Sequence, residues 1–229
     1  MPPPSPPAFT AVLFGLSGCL VDFGARTLAS AQQRLGLADH VAYPVLPAAT
    51  RNILQPMLLE AADRHAQPCP GSLALLEQLQ QQTVPCAWLE ELPAAACDVL
   101  ASALPAWLQG APCGDSSRPW PAPDSCWQAL STLQVARLEG CVLISGEPRL
   151  LHAGLNAGLW TVGLAASGPL CGHAPQDWQG LSSERREQLR AQATLQLYRL
   201  GVHSVVDHLA ELGPSLNDLA NRRQKGEKP

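Results

Sequence analysis

Short apolar runs recur along the chain, each closed by a turn and separated from the next by amphipathic stretches. They lie at 8–14 (AFTAVLF), Val84–Leu89, Cys141–Ser145, Trp160–Ala165 and Val202–Val206. A run this short, apolar throughout rather than alternating, suits a strand buried on both faces, as in a parallel sheet covered by helices on each side. Between the runs the spacing predicts helices over 27–37, from Thr50 through Ala61, from Ser72 through Leu79, and over 94–104 and 127–138. Further helices are expected over 149–157, 181–200 and 214–222. Thr50, Ser72 and Ser182 or Ser183 are the expected N-caps, and Gly201 the expected stop of the longest helix. Residues 109–125, rich in Gly, Pro and Ser, read as loop. Strand–helix alternation of this kind predicts an α/β fold with a doubly wound parallel sheet. Ligands of such sheets bind at the carboxyl ends of the strands, here at the turn Gly15-Leu16-Ser17-Gly18.

Composition narrows the function classes. Charged residues make up 15% of the 229 positions and hydrophobic ones 46%, which is enough apolar material for a packed core. The formal net charge is −4, and no basic run precedes the C-terminal tail, so nucleic acid is not an expected partner. No apolar stretch reaches the length of a membrane span, and the leading MPPPSPPAF lacks the basic and apolar regions of a secretory signal. The eight cysteines are scattered without CxxC or zinc-finger spacing. A cytoplasmic protein with reduced, buried thiols is expected. The only lysines are Lys225 and Lys228.

The stretch Gly154-Leu155-Asn156-Ala157-Gly158-Leu159-Trp160-Thr161-Val162-Gly163-Leu164 resembles a helix-to-strand passage of the phosphonoacetaldehyde hydrolases (phosphonatases), a branch of the haloacid dehalogenase superfamily. The closing segment Gly201-Val202-His203 with Val205-Val206-Asp207, the run Val21-Asp22-Phe23-Gly24 and the loop Arg118-Pro119-Trp120-Pro121 are similar to the same family. The resemblance implies a Rossmann-like core at 8–26 and 67–229, after a Pro-rich lead at 1–7, with a helical cap at 27–66 that is shorter than the family's. It also implies a chemistry. An aspartate at the tip of the first strand attacks phosphorus and ligands Mg²⁺, a Ser or Thr after the second strand and a later basic residue hold the phosphoryl oxygens, and acids after the fourth strand complete the metal shell. A cap lysine forms a Schiff base with the aldehyde.

This sequence departs from that pattern position by position. Gly15 stands at the nucleophile position, Glu90 at the Ser/Thr position, and Ser145 and Gly146 at the paired acids. No lysine occurs in residues 1–224. Arg118 is the one residue that fits a phosphate-holding role, and Ser17, Glu90 and Glu147 are the other ligand-binding candidates. Asp22 reads as a structural residue at a helix start. The expectation is a phosphonatase-like protein without catalytic residues, cofactor or metal, retained for binding or regulation. Its expected partners are a second copy, an active homologue or a small anionic ligand. An active hydrolase with a rebuilt site, using Ser17 or Glu90 with Glu147, is the alternative.

Overall fold

A computed structural model describes residues 9–37, 41–112 and 118–229. The Pro-rich lead and residues 113–117 of the expected loop lie outside the described residues. Six parallel strands, β1 (Ala11–Gly15), β2 (Cys86–Glu90), β3 (Gln109–Pro112), β4 (Cys141–Ser145), β5 (Trp160–Leu164) and β6 (Ser204–Val206), form one sheet in the order β3-β2-β1-β4-β5-β6. The helices are α1 (Arg26–Arg34), α2 (Ala48–His65), α3 (Ser72–Gln81), α4 (Ala94–Ala101), α5 (Asp124–Thr132), α6 (Pro148–Asn156), α7 (Pro175–Gly180), α8 (Ser183–Leu200) and α9 (Leu212–Gln224).

Side chains of β1 alternate between two apolar layers, as a pleated strand requires. Val12 and Phe14 join a cluster with Leu76 of α3, Leu100 of α4 and Leu219 of α9. Ala11 and Leu13 point the other way, into a cluster with Ala129 of α5 and Leu150 of α6. The sheet is therefore covered on both faces, as the uninterrupted apolar runs require. The insertion does not stand apart from this core. Ala31 of α1 and Leu54 and Leu58 of α2 belong to the same apolar cluster as Phe14. The chain leaves for the insertion and returns from it at adjacent points, where Asp22 N–H donates to the Gln67 carbonyl (3.2 Å) and Cys69 N–H to that of Leu20 (2.8 Å).

Four local expectations are corrected. Gln109–Pro112, read as loop, is the edge strand β3. It has no apolar run, and Gly110 lies so close to the Trp88 ring that a Cβ there would collide with it. Ser72 does not cap α3; Gly71 holds the N-cap position at φ 85°, and the buried Ser72 hydroxyl has no hydrogen-bond partner. Thr50 lies inside α2, which starts two residues earlier behind Pro47. The helix expected over 127–138 runs over Asp124–Thr132 and is followed by Gln134 at φ 56°. Ser182 does cap α8, accepting the Arg185 N–H at 3.2 Å, and Gly201 ends it at φ 99°.

The cysteines in the described residues are free and buried, and burial pushes the Cys86 and Cys126 thiols up to about 12, so they act as small apolar side chains. Among the described residues no helix is long and apolar enough to cross a membrane. Leu13, fully buried between β2 and β4, tests the core directly. Leu13→Ala is expected to lower unfolding free energy in urea by about 2–5 kcal/mol; a loss under about 1 kcal/mol would show that this layer is loosely packed.

Candidate functional site

Strand order reverses between β1 and β4, and the crossovers on either side leave a crevice at the strands' carboxyl ends. A cavity of 480 Å³ opens there. Gly15, Ser17, Glu90, Ser145 and Glu147 all line it, so the sequence positions singled out at three strand ends do converge. Arg118 does not. It is exposed, outside the cavity wall, and pairs with Asp124 at 3.0 Å. The basic residue of the wall is Arg149, in the first turn of α6.

The turn after β1 is bound to the end of β2 through a carboxylate. Glu90 Oε2 accepts the Ser17 N–H at 3.1 Å, and Oε1 accepts the Glu91 N–H at 2.7 Å. Backbone N–H groups of a turn at a strand end form a natural cradle for an anion. Here Glu90 supplies that anion internally. Burial pushes the Glu90 carboxyl up to about 7, with the charges of Glu147 and Glu91 adding to the rise and the two N–H donors opposing it. Ser17 Oγ donates to Asp22 Oδ2 at 2.6 Å. Asp22 itself accepts the N–H groups of Arg26 (2.8 Å) and Thr27 (3.0 Å), so it satisfies the start of α1.

At the nucleophile position the space for a side chain is taken. A Cβ on Gly15 would lie 2.6 Å from Ser145 Oγ and 3.2 Å from its Cβ. The Ser145 hydroxyl is held in place, accepting the Glu147 N–H at 3.0 Å. At Gly146 the obstacle is backbone: a Cβ would collide with Gly168 Cα and lie 2.9 Å from the Gly18 carbonyl oxygen. A magnesium site wants several oxygen ligands, including one or two carboxylates, at short distance. Gly15, Ser145 and Gly146 offer no carboxylate, and no group of three or more His, Cys, Asp or Glu among the described residues is arranged to hold a metal ion. The residues present do not fit the metal that the resemblance implies.

A second acidic group stands beside the first. Glu91 Oε1 accepts the Trp120 N–H (2.7 Å), its Oε2 meets the Arg149 guanidinium (2.6 Å), and Arg149 also donates to the Trp120 carbonyl (2.5 Å). Burial is the larger influence on Glu91 and raises its carboxyl, against the Trp120 N–H and Arg149. This clamp fixes the Arg118–Pro121 loop to α6. Glu147 caps α6, accepting the Arg149 N–H at 3.0 Å. Sequence reasoning did not pick out Glu91, Arg149 or Gln32 of α1 as site residues. The Glu-Glu pair at 90–91 was the available signal for the first, since one of two adjacent acids at a buried strand end must face inward.

No protein-family model matches the chain. It is similar to the phosphonoacetaldehyde hydrolase of Bordetella pertussis, 32% identical over 178 residues, which cover 76% of this chain and 64% of that protein. The chain thus spans less than two thirds of the length of such relatives. One crystal structure is 52% identical, with a TM-score of 0.79 over 96% of this chain and 100% of that one. Another, a phosphonoacetaldehyde hydrolase-like protein from Oleispira antarctica, has a TM-score of 0.82 at 21% identity over 98% and 97% of the two chains, a likeness of fold.

Two measurements test this site. Glu90 ordinarily titrates near 4.5, so the raised folded-state value means its contribution to stability is full below that pH and is lost as pH rises through about 7. The advantage of Glu90→Gln over wild type in urea unfolding is expected to grow by up to about 3 kcal/mol from pH 4.5 to 8; parallel curves would contradict it. Gly15→Ala is expected to cost about 1–2 kcal/mol by displacing the Ser145 hydroxyl. In a Ser145→Ala background that cost should fall by about 1 kcal/mol, and strict additivity of the two changes would show that they do not compete for space.

Proposed function

We propose, for a chain that belongs to the haloacid dehalogenase superfamily and within it is similar to the phosphonoacetaldehyde hydrolases, that the hydrolytic reaction has been lost and the fold kept for binding. The observation that carries this reading is the hydrogen-bonded Glu90 carboxylate at the turn amide after β1. It takes the N–H that a phosphoryl oxygen would use and, once ionised, repels a second anion at the same place. The Gly15–Ser145 contact supports it further, because the room for an attacking carboxylate is filled by a hydroxyl that is itself hydrogen bonded. Schiff-base chemistry has no lysine to use at the cavity, since the lysines of the sequence are Lys225 and Lys228, beyond α9.

Ser17 and Asp22 form the one pair that favours a rebuilt hydrolase, as a hydroxyl donating to a carboxylate at 2.6 Å. Both Asp22 oxygens are already engaged by the first N–H groups of α1, which makes the pair a cap and a turn lock. A regulatory role through a second copy, or through a heterodimer with an active homologue, belongs to the same proposal. Val45 and Ile53 stand exposed on the 27–66 insertion, the candidate cap, as such an interface would require.

Purified protein with Mg²⁺ is expected to release no acetaldehyde or phosphate from phosphonoacetaldehyde above a protein-free blank, and none from p-nitrophenyl phosphate. Mg²⁺-dependent turnover that disappears in Glu90→Gln or Ser17→Ala would overturn the loss of catalysis and establish the rebuilt site.

A further inference from the structure

We propose that the cavity between the core and the 27–66 insertion takes an uncharged, mainly apolar small molecule; this rests on the non-catalytic reading above. Carbon makes up most of the described wall. Leu28 and Val41 reach it from the insertion, and Leu89, Leu92, Trp120 and Leu150 from the core. Its 480 Å³ lies within the roughly 300–1,000 Å³ of small-molecule sites, which are mostly apolar with a few polar groups. A carbon skeleton in this space would remove apolar surface of the core and of the insertion from water at once.

The charged groups of the wall point the same way, because they are already matched inside the protein. Glu90 accepts the N–H groups of Ser17 and Glu91. Glu91 accepts the Trp120 N–H and pairs with Arg149, whose guanidinium also donates to the Trp120 carbonyl. Glu147 accepts the Arg149 N–H as the cap of α6. An anion would compete with Glu91 for Arg149, and a cation with amide donors for Glu90 and Glu147, each losing hydration on entry. An uncharged molecule avoids both costs. The rise of the Glu90 carboxyl to about 7, caused first by burial, shows that these surroundings disfavour charge even on the protein's own side chain.

The test titrates the full chain with two fluorescent probes that brighten on leaving water, N-phenyl-1-naphthylamine and 8-anilinonaphthalene-1-sulfonate. They share one aromatic skeleton and differ by a sulfonate charge. The neutral probe is expected to bind saturably, one per chain, at least about tenfold more tightly than the sulfonate. 1-Octanol is expected to displace it, and butyl phosphate to leave it bound. Ala29 and Ala42 line the cavity from the insertion, so Ala29→Trp and Ala42→Trp each fill part of it. Each is expected to weaken the neutral probe about tenfold, and either serves if the other fails to fold. No saturable binding of the neutral probe, equal or tighter binding of the sulfonate, displacement by butyl phosphate rather than octanol, or full affinity in the folded tryptophan variants would overturn the proposal. Phosphonoacetaldehyde turnover tells the two readings apart: turnover removes the non-catalytic premise, whereas a silent protein that does not bind the neutral probe loses only the ligand assignment.

Discussion

Everything at the candidate site depends on how closely three backbone turns approach one another at the carboxyl edge of the sheet. β1 and β4 are neighbours, and the chain leaving each must turn away from the other's helix. The turn after β4 is pressed against the one after β5: a Cβ on Gly168 would lie 2.7 Å from both Gly146 Cα and its carbonyl oxygen. Gly18, at φ 70°, completes the contact, its carbonyl accepting the Ser167 hydroxyl at 3.1 Å. With no side chain allowed between them, these loops form a rigid floor. That packing makes Gly146 unable to carry an acid without moving two other segments. The charge character of the site is thus set by backbone geometry as well as by residue choice.

On that floor the electrostatics run opposite to those of a phosphate site. Phosphate recognition needs free N–H dipoles and cations; here a glutamate takes the dipole and the guanidinium is tied to another glutamate. The Arg149 clamp also explains an arginine-for-lysine composition at one position, since one planar fork reaches both the Glu91 carboxylate and the Trp120 carbonyl. An ammonium at the same place would lack that flat pair of parallel donors.

The central sheet was legible because its strands are buried on both faces, so their apolar runs needed no tertiary information to be seen. β3 was not, because an edge strand of Gln, Gly, Ala and Pro is held by its hydrogen bonds to β2 and by the Trp88 ring over Gly110, neither of which leaves a periodic trace. At the site, Gly15, Glu90 and Ser145 are legible as strand-end positions matched to the family pattern, and it is the fold that brings them together with Ser17 and Glu147. Arg118 and Arg149 show the limit. The sequence points to Arg118 alone, but the loop carrying Arg118 turns its side chain to Asp124 in solvent, while α6 projects Arg149 onto Glu91 at the cavity wall. Side-chain direction in an irregular loop is decided by partners remote in sequence. Gln32 was hidden for a related reason: on an amphipathic helix it reads as surface, and only packing within the insertion, where its amide meets the Val41 carbonyl, buries it.

A crevice at the switch point is a consequence of topology, so its volume by itself argues little for a ligand. The polar groups in it argue more. An apolar residue at position 90 would avoid the cost of burying a carboxylate, and a leucine at position 32 would leave no orphan acceptor. Glu90 meets that cost while tying the turn after β1 to the end of β2, and Gln32 meets it while linking α1 to the Val41 carbonyl. The Glu90 cost is offset locally, by the Ser17 and Glu91 N–H dipoles that its two oxygens accept rather than by a counter-charge.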